Sequence, residues 1–138
     1  MADRPSLCIL LVEDDADSLS AMARLIDMTG HRALAASSAE EALRLARSHR
    51  CDMVVSDVGL PDRSGLDLMR ELSATYSLPG IAVSGYTDAA DVKECERAGF
   101  LRHLKKPVDF RKLIEAVDEI RRSRGVGANG DGDGALAT

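Results

Sequence analysis

Short apolar runs that stop abruptly at a carboxylate restrict the fold of this chain more than any other feature. Residues 7–12 read LCILLV and are followed directly by the acidic residues 13–15. Residues 53–55 read MVV, and Ser56 and Asp57 come next. A continuous apolar run, without alternation of polar and apolar residues, predicts a strand that is buried on both faces, as in a parallel sheet. Helices are therefore expected to cover both faces of that sheet.

Three further strands and five helices are predicted from the remaining pattern. The other strands are predicted over residues 32–36, 81–84 and 100–104. The last helix is the clearest, because its apolar residues recur at helical spacing: Phe110, Leu113, Ile114, Val117 and Ile120. Five strands that alternate with five helices predict an α/β fold, a doubly wound parallel sheet with right-handed crossovers. In the strand order 2-1-3-4-5, ligands bind beyond the carboxyl ends of strands 1 and 3.

Capping residues mark the starts of the first two helices. Asp15 or Asp17 can cap the first helix. A Ser at 37 or 38, with a Glu three residues later, predicts a capping box for the second helix.

The chain length and the glycine distribution predict one domain and a tail. The 138 residues suffice for one domain with its own core and not for two, and residues 1–124 are assigned to it. The sequence after Arg124 holds five of the eleven glycines and offers little that could be buried. Residues 125–138 are therefore predicted to be a flexible tail or linker.

Charge and cysteine usage exclude several kinds of protein. A net charge of −5 and a pI near 5.2 argue against a nucleic-acid surface, because phosphate binding needs clustered Lys and Arg. Three scattered cysteines, Cys8, Cys51 and Cys95, are typical of reduced thiols in a cytoplasmic protein, and Cys8 is predicted to lie in the core. No window approaches the apolar length of about 18 residues that would indicate a membrane span, and the N-terminus lacks a signal-peptide pattern.

Reactive side chains follow four of the five predicted strands, at the edge of the sheet where ligands bind. Strand 1 supplies Glu13 and Asp14, strand 3 Asp57, strand 4 Ser84 and strand 5 Lys106. Carboxylates within about 4 Å of one another repel by roughly 4 kcal/mol per pair at an effective dielectric near 20. Such a cluster holds either a proton or a cation, and an all-oxygen site open to water suits Mg²⁺.

Asp57 is the candidate nucleophile of this cluster. With a cation bound, its carboxylate would stay ionised and could attack phosphorus. Phosphoryl transfer depends mostly on positioning and charge neutralisation. Mg²⁺ would contact one equatorial oxygen of the phosphoryl group, the Lys106 ammonium a second, and the Ser84 hydroxyl with backbone N–H groups the third. The residues thus favour a phosphoryl group accepted by Asp57.

Four short segments resemble the receiver domain of two-component response regulators, of the type also found in hybrid sensor histidine kinases. They are residues 12–15 (VEDD), 56–62 (SDVGLPD), 84–85 (SG) and 105–107 (KKP), in the order and spacing of that family. The resemblance covers residues 6–124, nearly the whole chain. It implies a flavodoxin-like (βα)5 fold with the strand order 2-1-3-4-5.

The resemblance also implies a role for each acidic motif residue. Asp57 would be the phosphoacceptor and a Mg²⁺ ligand. Asp14 would bind Mg²⁺ directly, Glu13 largely through water, and Gly59 through its backbone carbonyl. Magnesium would therefore be the cofactor.

The switch residues implied by the resemblance lie on the last two strands. Ser84 would be the switch hydroxyl and Lys106 the lysine that binds the phosphoryl group. The family usually places Tyr or Phe shortly before the Lys-Pro pair, and this sequence has His103 there, the candidate secondary switch. Phosphorylation would change the face formed by helix 4, strand 5 and helix 5.

A signalling switch of this kind implies protein partners. The donor would be the phosphohistidine of a sensor histidine kinase or phosphotransfer protein, and the target a downstream effector protein. A homodimer through the face of helix 4, strand 5 and helix 5 is a further family-level expectation. The chain is not expected to be an enzyme, although it would catalyse its own phosphorylation and dephosphorylation and could be part of a hybrid histidine kinase. No nucleic acid or membrane is expected as a partner.

Two other functions stay open. A degenerate receiver would dock partners without phosphorylation, although the intact Asp57, Asp14 and Lys106 weigh against this. A phosphatase with an Asp nucleophile would have a second Asp two residues later, where this chain has Gly59. In the family the positions of Gly59 and Tyr86 modulate dephosphorylation; the small Gly59 would admit water and Tyr86 would obstruct it, and the sequence favours neither.

Overall fold

Residues 6–85 and 88–124 are described by the structure, a computed structural model of the chain. The strands are β1 (Cys8–Val12), β2 (Arg32–Ala36), β3 (Met53–Asp57), β4 (Gly80–Ser84) and β5 (Phe100–Lys105). The helices are α1 (Ala16–Met28), α2 (Ala39–Ser48), α3 (Gly65–Tyr76), α4 (Ala89–Ala98) and α5 (Phe110–Arg124). All strand pairs are parallel, in the order β2-β1-β3-β4-β5. The predicted flavodoxin-like α/β fold and its strand order are confirmed.

Apolar side chains cover both faces of the sheet. Leu10 and Val12 of β1 belong to a buried cluster shared with α2 and α3, whereas Ile9 and Leu11 belong to a second cluster shared with α1 and α5. Every residue of β3 and β4 is buried, and the edge strands β2 and β5 are partly exposed. Burial on both faces explains why the central strands read as continuous apolar runs.

Side chains cap the first turns of four helices. The N-cap residues of α1 to α4, each of which accepts a backbone N–H of its helix, are Asp15, Ser38, Ser64 and Asp88. Of the alternatives that the sequence offered, Asp15 and Ser38 are therefore the caps. In a capping box the Glu41 carboxylate would accept the backbone N–H of the N-cap residue, Ser38. Here it accepts the backbone N–H of the preceding residue, Ser37, at 2.8 Å.

Two predicted core residues are more exposed than the pattern indicated. Phe110 is 40% exposed; it is the first residue of α5 and lines a groove between that helix and α1, so the buried stripe begins only at Leu113. Cys8 is half-buried, because it is the first residue of β1 and lies at the amino edge of the sheet.

The predicted tail, residues 125–138, lies outside the described residues. Among the helices within residues 6–124 that the structure describes, none has the length and apolar character of a membrane span.

Gly65, the first residue of α3, packs against the backbone at the end of β3. Its N–H donates to the carbonyl oxygen of Val58 at 2.7 Å. A Cβ at this position would meet the carbonyl oxygen of Asp57 and the backbone of Val58. The strand cannot move aside without breaking its ladder with β4. Gly65→Ala is therefore expected to lower the free energy of unfolding by about 2–3 kcal/mol, measured by urea denaturation.

Gly59→Ala is the matched control for Gly65→Ala. Nothing lies within 4 Å of the Cβ that this substitution would add. Its effect on the free energy of unfolding should stay below about 0.5 kcal/mol. Similar losses in the two variants would show that close packing at Gly65 does not constrain the loop.

Candidate functional site

The carboxyl edge of the sheet brings the predicted site residues together. Asp57 and Ser84 end β3 and β4, and Glu13 and Lys106 directly follow β1 and β5. The ladder between β1 and β3 runs up to the residues just before Glu13 and Asp57. Glu13 and Asp57 therefore lie next to each other at the carboxyl ends of adjacent strands, at the point where the strand order of the sheet reverses.

Three carboxylates form an acidic cluster at this edge. One oxygen each of Glu13, Asp14 and Asp57 lies within 4.8 Å of the others. Glu13 is 2% exposed and Asp57 6% exposed, whereas Asp14 faces the solvent. The cluster is thus open on the Asp14 side. An all-oxygen donor set of this kind, accessible to water, fits Mg²⁺.

The Lys106 ammonium lies against the two buried carboxylates. Its Nζ is 2.7 Å from Oδ2 of Asp57 and 3.3 Å from Oε1 of Glu13. Burial by itself lowers the pKa of Lys106, but the hydrogen bond and the charge of Asp57, together with Glu13, raise that pKa above its ordinary value. The ammonium therefore stays charged at neutral pH. Its stabilising contribution is present below the ordinary lysine pKa and is lost as the pH rises through the raised value.

The pKa of the Glu13 carboxyl lies above its ordinary value. Burial raises the pKa of its carboxyl and the Asp57 charge adds to the shift, while the backbone N–H of Asp15 and the Lys106 ammonium oppose it. The folded chain therefore holds a proton on Glu13 more readily than the unfolded chain does. This group disfavours the folded state as the pH rises from the ordinary glutamate pKa through the raised one.

Backbone hydrogen bonds fix the directions of the carboxylates. The N–H of Asp15 donates to Oε2 of Glu13 at 2.9 Å, and the N–H of Gly59 donates to Oδ1 of Asp57 at 3.2 Å. The Ser56 hydroxyl donates to the carbonyl oxygen of Asp57 at 2.9 Å. The Asp57 carboxylate therefore accepts a hydrogen bond from the loop on one oxygen and from Lys106 on the other.

The two candidate switch residues occupy neighbouring strands. Ser84 is 5% exposed, ends β4, and its carbonyl oxygen accepts the backbone N–H of Lys106 at 2.9 Å. His103 pairs with Ala82 in the ladder between β4 and β5, and its Nε2 is buried with no hydrogen-bond partner among the described residues. It borders a small cavity of about 50 Å³ between α4 and β5. Tyr86 lies outside the described residues.

The role of one supporting residue, Asp62, was not predicted from the sequence. The Asp62 carboxylate accepts the backbone N–H groups of Ala39 at 3.0 Å and Glu40 at 2.9 Å, and these hydrogen bonds lower its pKa. Asp62 thereby ties the loop after β3 to the start of α2. Only its position in the loop beyond Asp57 could have pointed to it, because its partners lie on an earlier helix.

The doubly wound parallel sheet gathers carboxylates and a lysine at its switch point, between the carboxyl ends of β1 and β3, where α/β proteins of this architecture generally bind their ligands. The chain belongs to the response regulator receiver domain family, whose profile matches residues 9–118. Receiver domains serve two-component signalling as switches rather than as enzymes, generally bind Mg²⁺ in an acidic pocket, and interact with histidine kinases or phosphotransfer proteins and with effectors.

Curated relatives include both small regulators and large sensors. The polar-differentiation response regulator DivK of Brucella anthropi is 30% identical over 112 residues, which are 79% of this chain and 91% of DivK. The virulence sensor protein BvgS of Bordetella pertussis is 34% identical over 122 residues, which are 83% of this chain and 10% of BvgS. The chain therefore spans most of one relative and a tenth of the other.

Solved structures show the same fold. A response regulator receiver protein from Pseudomonas putida is 34% identical, with a TM-score of 0.76 over 86% of this chain and 99% of that one. A CheY-like receiver domain protein from Methanospirillum hungatei is 26% identical, with a TM-score of 0.79 over 83% of this chain and 93% of that one.

Proposed function

We propose that the chain is a phosphoacceptor switch, in which Asp57 takes a phosphoryl group from a phosphohistidine of a sensor histidine kinase or phosphotransfer protein. The observation that carries this proposal is the convergence of Glu13, Asp14, Asp57 and Lys106 at the carboxyl edge of the sheet. These residues are far apart in sequence, and each has the charge that phosphoryl transfer to a carboxylate requires.

An oxygen of the Asp57 carboxylate would attack phosphorus while the bond from phosphorus to the donor imidazole nitrogen breaks. Asp14 and Asp57, the carbonyl of Gly59, and Glu13 through water would hold Mg²⁺. When bound, the ion would neutralise charge on the cluster and on the phosphoryl oxygens. Lys106 is close enough to Asp57 to contact a phosphoryl oxygen once the group is transferred.

The new charge of about −1.5 to −2 on Asp57 would attract Lys106 and the Ser84 hydroxyl. Ser84 ends β4, directly before the connection to α4, so its movement would shift that connection. Only Cys95 and Ala98 of α4 are buried, so this helix is held by a small apolar contact. The face formed by α4, β5 and α5 is therefore the surface on which phosphorylation would be read.

His103 would act as a secondary switch on the same face. It lies on β5 beside α4 and borders a small cavity, and its buried Nε2 has no hydrogen-bond partner within the part of the chain that the structure describes. A phosphorylation-linked shift of α4 would offer this nitrogen a different environment. His103→Phe, which restores the aromatic residue usual in the family, tests this role by comparison of the amide-exchange change in α4 upon phosphorylation. An unchanged response would remove His103 from the switch.

The proposal extends to the domain boundaries, the partners and the location of the chain. Residues 1–124 would form the receiver domain, and residues 125–138 a flexible tail or linker. The partners would be the phosphohistidine donor and a downstream effector protein, and the face of α4, β5 and α5 would also serve a homodimer. The unpaired thiols favour a cytoplasmic location.

Acetyl phosphate distinguishes the proposal from its alternatives. With acetyl phosphate and Mg²⁺, the full chain should gain the mass of one phosphoryl group, labile to hydroxylamine and located on the peptide that contains Asp57. Omission of Mg²⁺ should prevent the gain. No adduct under any condition would favour a docking module that works without phosphorylation. Rapid multiple turnover of a phosphate ester would favour a phosphatase.

Magnesium is expected to stabilise the folded chain, because the unfolded chain disperses the three carboxylates. At a concentration 100 times its dissociation constant, the ion should raise the free energy of unfolding by about 2.7 kcal/mol. Asp14→Asn should lose most of this gain, since it removes a solvent-facing member of the cluster. The measurement is thermal unfolding against MgCl₂ at constant ionic strength.

Asp67→Asn is the control for the magnesium experiment. Asp67 is an exposed carboxylate on α3 that pairs with Arg70, so its removal should leave the magnesium effect intact. Equal magnesium effects in Asp14→Asn and Asp67→Asn would mean that Asp14 does not bind the ion.

A further inference from the structure

Two cysteines lie side by side at the edge of the sheet opposite to the acidic cluster. Cys8 begins β1, and Cys51 stands just before β3, the neighbouring strand. The two segments are joined by hydrogen bonds: the N–H of Asp52 donates to the carbonyl oxygen of Cys8 at 2.8 Å, and the N–H of Cys8 donates to Oδ2 of Asp52 at 2.8 Å. The backbones that carry the two thiols are therefore held together.

The chain bends at Asp52, between Cys51 and β3. The ladder between β1 and β3 begins at the pair of Ile9 and Met53, so Cys51 lies beyond the ladder and does not follow the alternation of β3. The carbonyl oxygen of Cys8 accepts the N–H of the residue that directly follows Cys51, which holds the two cysteines close together, as a disulfide requires.

Both thiols lie on the same face of the sheet. Cys8 alternates with Leu10 and Val12, which pack in the cluster shared with α2 and α3, and Cys51 packs against that cluster too. The two thiols are near enough to interact: burial raises the pKa of Cys51 to about 12, and the neighbouring Cys8 adds to that shift through charge and a hydrogen bond. Both residues are half-buried, so a small solute can reach them, whereas Cys95 on α4 is buried.

We propose that Cys8 and Cys51 are a redox modification site, at which hydrogen peroxide closes a reversible disulfide between β1 and the start of β3. The proposal does not depend on phosphorylation of Asp57. Within a reducing compartment, a disulfide of this kind forms only while an oxidant is present.

The step balances in two stages. The Cys8 thiolate attacks one peroxide oxygen, the O–O bond breaks, hydroxide leaves and a sulfenic acid forms on Cys8. The Cys51 thiolate then attacks the Cys8 sulfur, the S–O bond breaks and a second hydroxide leaves. The two hydroxides take up the protons that the thiols released. Two electrons pass from the sulfurs to peroxide, and the products are one disulfide and two waters.

Cys8 is the attacking thiol of the pair. Burial raises its pKa and the Asp52 charge adds to that shift, whereas Arg32, its direct partner on β2, and the Cys51 thiol oppose it. Because the pKa of Cys8 still lies above its ordinary value, oxidation at neutral pH should be slow. The rate should rise about tenfold per pH unit until the thiol is ionised.

Mass spectrometry of the full chain tests the pair. The chain is treated with hydrogen peroxide across a pH series, denatured, alkylated with N-ethylmaleimide and weighed. Alkylation should be lost at two sites together, and a single linked peptide pair, Cys8 with Cys51, should appear and vanish with dithiothreitol. Cys95 should stay alkylated. A bridge to Cys95, bridges only between chains, or oxidation of Cys8 and Cys51 no faster than that of Cys95 would overturn the proposal.

Variants assign the roles of the two thiols. Cys51→Ser should form no disulfide within the chain and should accumulate a sulfenic acid on Cys8 that dimedone traps, whereas Cys95→Ser should oxidise like the wild type. In Cys8→Ser, dimedone should trap a sulfenic acid on Cys51 more slowly than it traps one on Cys8 in Cys51→Ser. Equal rates would contradict the assignment of Cys8 as the attacking thiol. Asp57→Asn should close the disulfide at the wild-type rate, which separates this site from the proposed phosphoacceptor.

Discussion

Asp57→Asn is expected to abolish the phosphoryl adduct that the chain forms with acetyl phosphate and Mg²⁺. Asp57 ends β3 and is 6% exposed. One of its carboxylate oxygens accepts the backbone N–H of Gly59, and the other accepts a hydrogen bond from Lys106. An Asn of nearly the same shape can still accept the Gly59 N–H. It has no anionic oxygen to attack phosphorus and contributes no charge to a cation site. The chemistry should therefore be lost while the fold is kept.

The experiment is an intact-mass measurement after incubation with acetyl phosphate, beside circular dichroism to verify folding. Asp67→Asn, on the exposed side of α3, is the matched control and should be phosphorylated like the wild type. A wild-type yield of adduct on Asp57→Asn would place the acceptor on another carboxylate of the cluster, Glu13 or Asp14.

The fold could be predicted because its central strands are buried on both faces. Each residue of β3 is buried, so its sequence begins with a continuous apolar run, whereas a strand with one exposed face would alternate polar and apolar residues. The site followed from the fold, since parallel strands deliver their carboxyl ends to one edge. Glu13, Asp57 and Lys106 lie together at that edge.

Contacts between elements that are distant in sequence could not be predicted. Asp62 accepts the first two backbone N–H groups of α2 from a later loop, and nothing in its sequence neighbourhood identifies that helix as its partner. Phe110 fits the apolar stripe of α5 but lies in the first turn, at a groove rather than in the core. The neighbouring thiols of Cys8 and Cys51 depend on the bend at Asp52, just before β3, which the sequence pattern does not predict.

Lys106→Ala is expected to leave a phosphorylatable chain that no longer responds to phosphorylation. The nucleophile and the acidic cluster remain, so acetyl phosphate should still transfer its phosphoryl group, at a rate lower by about 100- to 1,000-fold because one charge-stabilising donor is gone. The ammonium now lies 2.7 Å from Asp57 and directly follows β5. Without it, the new negative charge loses the cation that links it to β5 and to the neighbouring Ser84.

Hydrogen exchange of the phosphorylated and unphosphorylated forms measures that response in α4 and β5. Lys105→Ala is the matched control: it removes an exposed ammonium from the adjacent position, with no ion pair to the cluster among the described residues. That variant should show the wild-type exchange change, and Lys106→Ala should show little or none at equal phosphoryl occupancy. If Lys106→Ala, once phosphorylated, gave the full change in α4, the signal would have to pass through Ser84 alone, and the ammonium would serve only the transfer step.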